Sequence, residues 1–405
     1  MDDRAHLFEM DPQSLSQWCA ARAMPAFRAG QILDWVYAKG TTDPARMTNL
    51  PPRDRARLAE QMRFLSGDVV ARQTASDGTD KLLVRWHADA QDQAPPTPEP
   101  AERLAQLPVL GPAGPAAAGR QTECVMIPTQ GRRTACISSQ VGCPVGCRFC
   151  ASGVGGLEGN LSAGRIVEQV WLLRWRLGGS PGAEGAPATE AAPAVAPPRI
   201  SNVVFMGMGE PLANLGPVVR AVRALAAPWG MGISARKITI STVGLPKAIE
   251  KLAEQLDLPV TLALSLHAPT DQIRRRLIPW AQYTTIADLL SACQLWFERT
   301  GREITLEYTL LADVNDRPQH AEELARLAKS LRANVNLIRY NEVRGMPFSR
   351  PRTQDVRLFQ ETLRSRGVNT HIRASRGRDI AAACGQLRHQ RAGEAAPASP
   401  PGEPR

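Results

Sequence analysis

The sequence has no run approaching the roughly 18 consecutive apolar residues that a helix needs to cross a bilayer, so no membrane association is expected. Its start, Met-Asp-Asp-Arg, lacks the basic segment and apolar core of a secretory signal and the arginines of a transit peptide. The expected location is therefore cytoplasmic, a reducing compartment. Acidic residues are the minority charge: 39 Asp and Glu stand against 49 Lys and Arg, for a net charge of +10. Clustered basic side chains release counterions from phosphates, which points to a polyanionic partner. An arginine-rich chain from a GC-rich genome is basic without any such partner, and charge alone leaves both readings open.

Two stretches, residues 88–119 and 178–198, have almost no bulky apolar residues to bury and are dense in Pro, Ala, Gly and Glu. With the tail 389–405 they read as disordered surface segments without chemistry. The remainder divides into a helical N-terminal domain (1–67), a segment holding a strand pair and the first insertion (68–122), and a core (123–388). In the first, residues 25–39 and 53–62 carry helical spacing; in the second, strands are expected over 68–74 and 81–87, joined by the turn-rich Ser76-Asp77-Gly78-Thr79.

The core alternates strand and helix. Apolar strand-like runs occupy 135–141, 200–206, 237–242, 260–267, 303–311 and 335–340, with a short last one at 369–373. Helical patterns occupy 163–177, 215–227, 246–256, 286–300, 317–331 and 354–366. Six such units predict a partial (βα)6 TIM-type barrel, an α/β fold, with a small N-terminal helical accessory domain; 405 residues suffice for both. Chemistry then belongs at the carboxyl ends of the strands.

Of eight cysteines, five fall between Cys124 and Cys150. A closed structural zinc site wants four ligands, and no second CxxC pair exists. Cys143-Pro-Val-Gly-Cys147-Arg-Phe-Cys150 instead offers three thiolates on one short loop, enough to hold three irons of a cubane and leave the fourth open. With Phe149 before the last cysteine it matches the radical S-adenosylmethionine pattern CxxxCxφC. Other strand ends are polar: Gly207-Met-Gly209-Glu210-Pro211, Ser241-Thr242-Val243-Gly244, Ser265-Leu266-His267-Ala268-Pro269 and Tyr340-Asn341-Glu342. Alone, the Gly207–Pro211 turn reads equally as structural or as a close approach to a ligand, and a lone His or Asn as a satisfied structural residue; together they mark one rim.

Cys136 lies in the first strand, where a thiol is ordinarily a small core residue. Cys384 follows the last strand in Arg376-Gly-Arg378-Asp379-Ile-Ala-Ala-Ala-Cys384-Gly-Gln-Leu. Arg376 and Arg378 favour a thiolate there and Asp379 opposes it, so Cys384 reads equally as reactive or as inert.

These motifs together, with Phe27-Arg28-Ala29-Gly30-Gln31 through Trp35 near the start, resemble the RlmN/Cfr family of radical S-adenosylmethionine RNA adenine methyltransferases. The likeness runs from about residue 10 to 388 and is nearest the dual-specificity ribosomal and transfer RNA branch. It implies one 4Fe–4S cluster on Cys143, Cys147 and Cys150, and two S-adenosylmethionine molecules per turnover. It implies that Cys384 accepts a methyl group from the first. Hydrogen abstraction by a 5′-deoxyadenosyl radical from the second then lets that carbon add to carbon 2 of an adenine. Glu123 is implied as proton acceptor. Cys136 is implied to attack Cys384 and release the RNA, leaving a transient disulfide. Gly209, Glu210, Ser241, Ser265, His267 and Asn341 match S-adenosylmethionine contacts. The implied partners are 23S ribosomal RNA, transfer RNA and an electron-donating reductase, with the enzyme a monomer.

Two segments depart from the family pattern, Arg-Gly-Arg-Asp at 376–379 and Ile-Arg-Tyr-Asn-Glu-Val at 338–343, and both add charge on the RNA side. The runs Arg274–Arg276, Arg350–Arg352 and Arg364–Arg378 read either as phosphate contacts or as solvated faces. Rival activities are methylation at carbon 8, a non-catalytic RNA-binding protein with a structural metal, and a radical enzyme acting on a small molecule or a protein.

Overall fold

In a computed structural model of the chain, residues 4–88, 120–177 and 199–387 are described. The two low-complexity stretches and the tail, Ala88 apart, lie outside them. The N-terminal part starts with β1 (Ala5–His6), α1 (Pro12–Ala20), α2 (Arg28–Leu33), α3 (Pro52–Gln61) and β2 (Met62–Arg63), the two short strands pairing in parallel. Asp11 starts α1 by accepting the Ser14 N–H at 2.7 Å while Pro12 fills the first helical turn. The helix expected over 25–39 starts later, at Arg28, and widens at Asp34–Ala38 into a π-type turn closed by Lys39 N–H to Asp34 O.

The strand pair β3 (Gly67–Thr74) and β4 (Asp80–Trp86) is followed by β5 (Gln121–Thr129) and β6 (Arg132–Cys136). After these come β7 (Gln140–Gly142), β8 (Leu157–Asn160), α4 (Ala163–Trp175), β9 (Asn202–Phe205) and α5 (Leu215–Ala226). The barrel continues with β10 (Ile238–Thr242), α6 (Pro246–Gln255), β11 (Thr261–Ser265), α7 (Asp271–Leu277) and α8 (Ile286–Thr300). It finishes with β12 (Ile304–Leu310), α9 (Pro318–Lys329), β13 (Ala333–Arg339), α10 (Thr353–Ser365) and β14 (Thr370–Arg373). From β6 through β9–β14 each strand pairs in parallel with the next, and β3, β4 and β5 extend the same ten-stranded sheet antiparallel from its β6 side. This is the partial barrel that the strand–helix alternation predicts. Among the described residues no helix is long and apolar enough to cross a membrane.

One strand differs from expectation. The run 135–141 does not continue as one strand: the sheet pairing ends at Cys136, and β7 turns off to pair antiparallel with β8. Polar Ser138 makes the break possible. Its hydroxyl donates to Glu123 O and accepts the Met208 N–H, and its own N–H goes to Gln169 Oε1. The cysteine loop, residues 143–156, therefore hangs from a separate two-stranded ribbon.

All residues of α4 are buried, because the barrel covers one side and the N-terminal part the other. Its Glu168, 0 % exposed, accepts from Ser66 N, Ser66 Oγ (2.6 Å) and Gly67 N, and His6 Nε2 stands 3.2 Å away. Truncating Glu168 orphans several buried donors at once. Glu168→Ala is expected to destabilise the chain by about 3 kcal/mol, read from the urea midpoint; a shift within ±0.5 kcal/mol would show that this junction does not hold the two parts together.

Candidate active site

The carboxyl ends of β9–β13 surround a cavity of ≈160 Å³. Its walls include Cys143 and Cys147, Gly209 and Glu210, Ser241, Ser265, His267, Asn341 and Cys384. Nine of the twelve residues singled out in the sequence thus share one space. Cys150, Cys136 and Glu123 are not in its wall.

The glycines after β9 are required by space. A Cβ on Gly207 would meet Ile137 O at 2.6 Å, and one on Gly209, whose φ is +103°, would meet Gln140 Cβ at 2.6 Å. That close approach lets Gln140 Oε1 accept the Glu210 N–H at 2.8 Å. The Glu210 carboxylate is buried and ties two strand ends together, Oε1 accepting from Leu212 N and Oε2 from Val243 N. Burial raises its pKa, and the Val243 N–H and Thr242 hydroxyl oppose the rise. The Ser241 and Ser265 hydroxyls lie 3.2 Å apart.

His267 sits in the left-handed region, φ +56°, an uncommon place for a residue with a Cβ. Its Nδ1 accepts the Thr309 N–H at 3.0 Å, and burial, then the charge of Arg274, push its pKa down to about 3. The ring is therefore neutral with its proton on Nε2. Phe149 meets it edge-on, with centroids 5.0 Å apart. The aromatic residue of the cysteine motif thus packs the loop against the strand ends.

Among the described residues no three His, Cys, Asp or Glu side chains converge as on a single metal ion. A cubane does not require that, since each thiolate binds its own iron. The three loop thiols are partly exposed and close enough to oppose one another's ionisation. Burial pushes Cys143 up to about 12, and burial followed by Cys150 and Cys143 also raises Cys147. Three thiols gathered on one loop are soft donors that a cationic iron–sulfur core would bind as thiolates, so the donor set fits such a core.

Cys384 is stitched to this loop. Asn341 Nδ2 donates to Cys384 O at 3.2 Å, Ala151 N to Gly385 O at 2.8 Å, and Ser152 Oγ to Leu387 O at 2.7 Å. Cys136 is 5 % exposed in a small apolar cluster with Val125, Met208, Ala382 and Leu387, directly against the Cys384 loop. Burial, then Cys384, pushes the Cys136 thiol up to about 12. Glu123 is buried on β5, its carboxylate 2.8 Å from Lys81 Nζ, and that ammonium also donates to Ala381 O.

The charges around Cys384 differ from expectation. Asp379 accepts the Ser76 N–H, Asp77 accepts the Gly377 N–H, and Arg376 faces Asp77 at 3.9 Å. The β3–β4 turn thus clamps the segment before Cys384, and this engages Arg376 and Asp379. The cation in the cavity is Arg373, whose pKa is raised by Cys384 first and then by Glu307 and Cys136. Its Nη1 lies 2.9 Å from Met206 Sδ.

Arg373 and Glu307 were missed as site residues. A charge inside each of the strands Ile304–Leu310 and Thr370–Arg373 was the available signal. The run Arg274–Arg276 also splits: Arg275 and Arg276 are exposed, whereas Arg274 is fully buried and cannot meet a phosphate at the surface. Arg350 is likewise half-buried and donates to Tyr340 O and Asn341 Oδ1.

Comparison with known proteins places the chain. Residues 5–63 match the family model of the ribosomal RNA large subunit methyltransferase N-terminal domain. A protein of Thermosynechococcus vestitus named as a probable dual-specificity RNA methyltransferase RlmN is 40 % identical over 374 residues, covering 92 % of this chain and 95 % of its own. One of the same name from Prochlorococcus marinus is 41 % identical over 385 residues, covering 93 % and 94 %. The crystal structure of a radical SAM methyltransferase from Sphaerobacter thermophilus superposes with a TM-score of 0.79 at 37 % identity, over 95 % of this chain and 99 % of that one.

Proposed function

Because the chain belongs to the RlmN family of radical S-adenosylmethionine RNA methyltransferases, we propose that it methylates carbon 2 of an adenine in 23S ribosomal RNA and in transfer RNA. The observation that carries this reading is the meeting of Cys384 with Cys143 and Cys147 around one cavity, with Cys136 packed beneath the Cys384 loop. A radical generator alone needs only the loop cysteines. Two further thiols near enough for Cys384 to raise the pKa of Cys136 fit a methyl group carried on one and released by the other.

In this reading Cys143, Cys147 and Cys150 hold the 4Fe–4S cluster, and Gly209, Glu210, Ser241, Ser265, His267 and Asn341 line the place for S-adenosylmethionine. When bound, the cluster would supply one electron for cleaving S-adenosylmethionine to a 5′-deoxyadenosyl radical. Two S-adenosylmethionine molecules serve each turnover, one methylating Cys384 Sγ and one providing the radical. Carbon 2 of adenine is electron-poor and does not attack a methyl donor as a nucleophile, so a methylene radical held on Cys384 Sγ adds to it instead. The adduct would give up one electron, for which the cluster, left oxidised by the cleavage, is the acceptor, and Glu123 takes the carbon-2 proton. Cys136, as thiolate, then attacks Cys384 Sγ. An S–S bond forms as the S–C bond breaks, and the departing carbon takes up a proton to become the methyl group. A monomer working with a reductase that supplies electrons and restores the thiols is sufficient for this sequence.

Mass mapping of RNA treated with the reconstituted enzyme tests the product. 2-Methyladenine in both RNA classes is expected; 8-methyladenine without 2-methyladenine would overturn the carbon-2 assignment.

A further inference from the structure

Arg274 lies inside α7 with its side chain 0 % exposed. Its Nη2 donates to Val243 O at 2.5 Å, and its Nε and Nη1 have no hydrogen-bond partner among the described residues. An unpaired guanidinium out of water is among the costlier features a fold can hold, and removing it is normally easy for evolution. Among the described residues none pairs with it directly, although the charges of Cys147 and then Asp271 act on it from nearby. Asp271 is turned to the Ile286 N–H at 2.8 Å, both Glu210 oxygens are taken by backbone N–H groups, and His267 is neutral. What α7 does touch is the cysteine loop: Arg148 N donates to Leu277 O at 2.9 Å, and Gly146 faces Pro279 just beyond the helix. Val243, which holds Nη2, lines the cavity together with Cys147.

We propose that Arg274 is the built-in counter-charge of the iron–sulfur cluster, with Nε–H and Nη1–H left available to the cluster's sulfurs when it is bound. Three thiolates make the oxidised cluster anionic overall, and reduction adds one more negative charge. A fixed guanidinium therefore favours the reduced form and raises the midpoint potential, besides supplying hydrogen bonds to sulfur, which do the same. Arginine suits this place because it stays charged when buried and presents several donors in a plane. The assignment rests on the reading of Cys143, Cys147 and Cys150 as cluster ligands. It makes Arg274 a positioning residue acting on the cluster, with no contact to RNA.

The test uses full-length Arg274→Gln, whose amide retains a donor for Val243 O, and Arg274→Lys, which retains charge. Each is reconstituted anaerobically beside wild type, and the potential is read by spectroscopically monitored reductive titration without S-adenosylmethionine. At a fixed potential, Arg274→Gln is expected to hold a reduced-to-oxidised ratio about tenfold below wild type, about 59 mV for one electron, with Arg274→Lys restoring most of it. Metal-free Arg274→Gln is expected to melt no lower than metal-free wild type, because the unpaired charge has gone. An unchanged potential in iron-loaded Arg274→Gln overturns the proposal, as does a glutamine variant that fails to fold or melts well below wild type. Weakened S-adenosylmethionine binding at unchanged potential also overturns it, assigning the guanidinium to that ligand's carboxylate. Wild type that takes up no iron would sink the cluster-ligand reading itself, a distinct result.

Discussion

Cys384→Ala is expected to abolish RNA methylation, by on the order of 10⁴-fold or more, while leaving the chain folded and its iron bound. The loss is predicted to be total because no other side chain can carry the carbon: in the proposed chemistry the methyl group sits on Cys384 Sγ before any RNA arrives. The variant is expected to fold because the bonds holding this loop do not use the thiol. Asn341 takes the Cys384 carbonyl, Ala151 donates to Gly385, and the β3–β4 turn grips Gly377 and Asp379. Two measurements check it. Intact-protein mass spectrometry should find a methyl group on wild type and none on the variant, and methylated RNA should be absent from the variant reaction. A Cys384→Ala enzyme that retains full product formation would favour a radical enzyme acting on some other substrate.

Cys136→Ala is expected to stop the reaction one bond later. Methylation of Cys384 and attack on the adenine proceed, but nothing then breaks the S–C bond, so the chain accumulates covalently joined to RNA. Free methylated product is expected to fall by at least about 10²-fold, and a nuclease-sensitive, slower-migrating protein should appear on denaturing gels. Burial makes Cys136 a poor nucleophile at rest, with its thiol pushed up to about 12. The nearby Arg373 pulls the other way and identifies what can assist deprotonation once the Cys384 sulfur is alkylated. Cys136→Ala that turns over freely, with no linked RNA, would remove Cys136 from the mechanism and leave it the buried strand thiol that its position first suggests.

Legibility in the sequence followed the range of the interaction. The strand–helix alternation was readable from 135 to 373 because each element is set by its own local pattern, and the structure departs from it chiefly where polar Ser138 ends the first strand early. Glu307 and Arg373 left a readable trace, a charge within a short strand, that pointed to a buried site without saying which one. Arg274 left none. In a run of three arginines its neighbours are solvated, and only the packing of α7 beneath the cysteine loop separates it from them.

The sequence by itself determined that the three proposed cluster ligands stay together: Cys143, Cys147 and Cys150 lie within eight residues, so the covalent chain alone keeps them on one loop in any fold. It also determined the order of barrel elements, and with it the strand ends where ligands collect. Only the tertiary structure decided which thiols and charges meet across that barrel. Cys136 and the segment carrying Cys384 come together because β6 and the residues after β14, Ala382 and Leu387, converge on one small apolar cluster. Arg373 takes the place expected of Arg376 because the β3–β4 turn claims the segment before Cys384. Local spacing is set by bond lengths and helix or strand period; contact between distant residues depends on how whole elements pack, which no local pattern encodes.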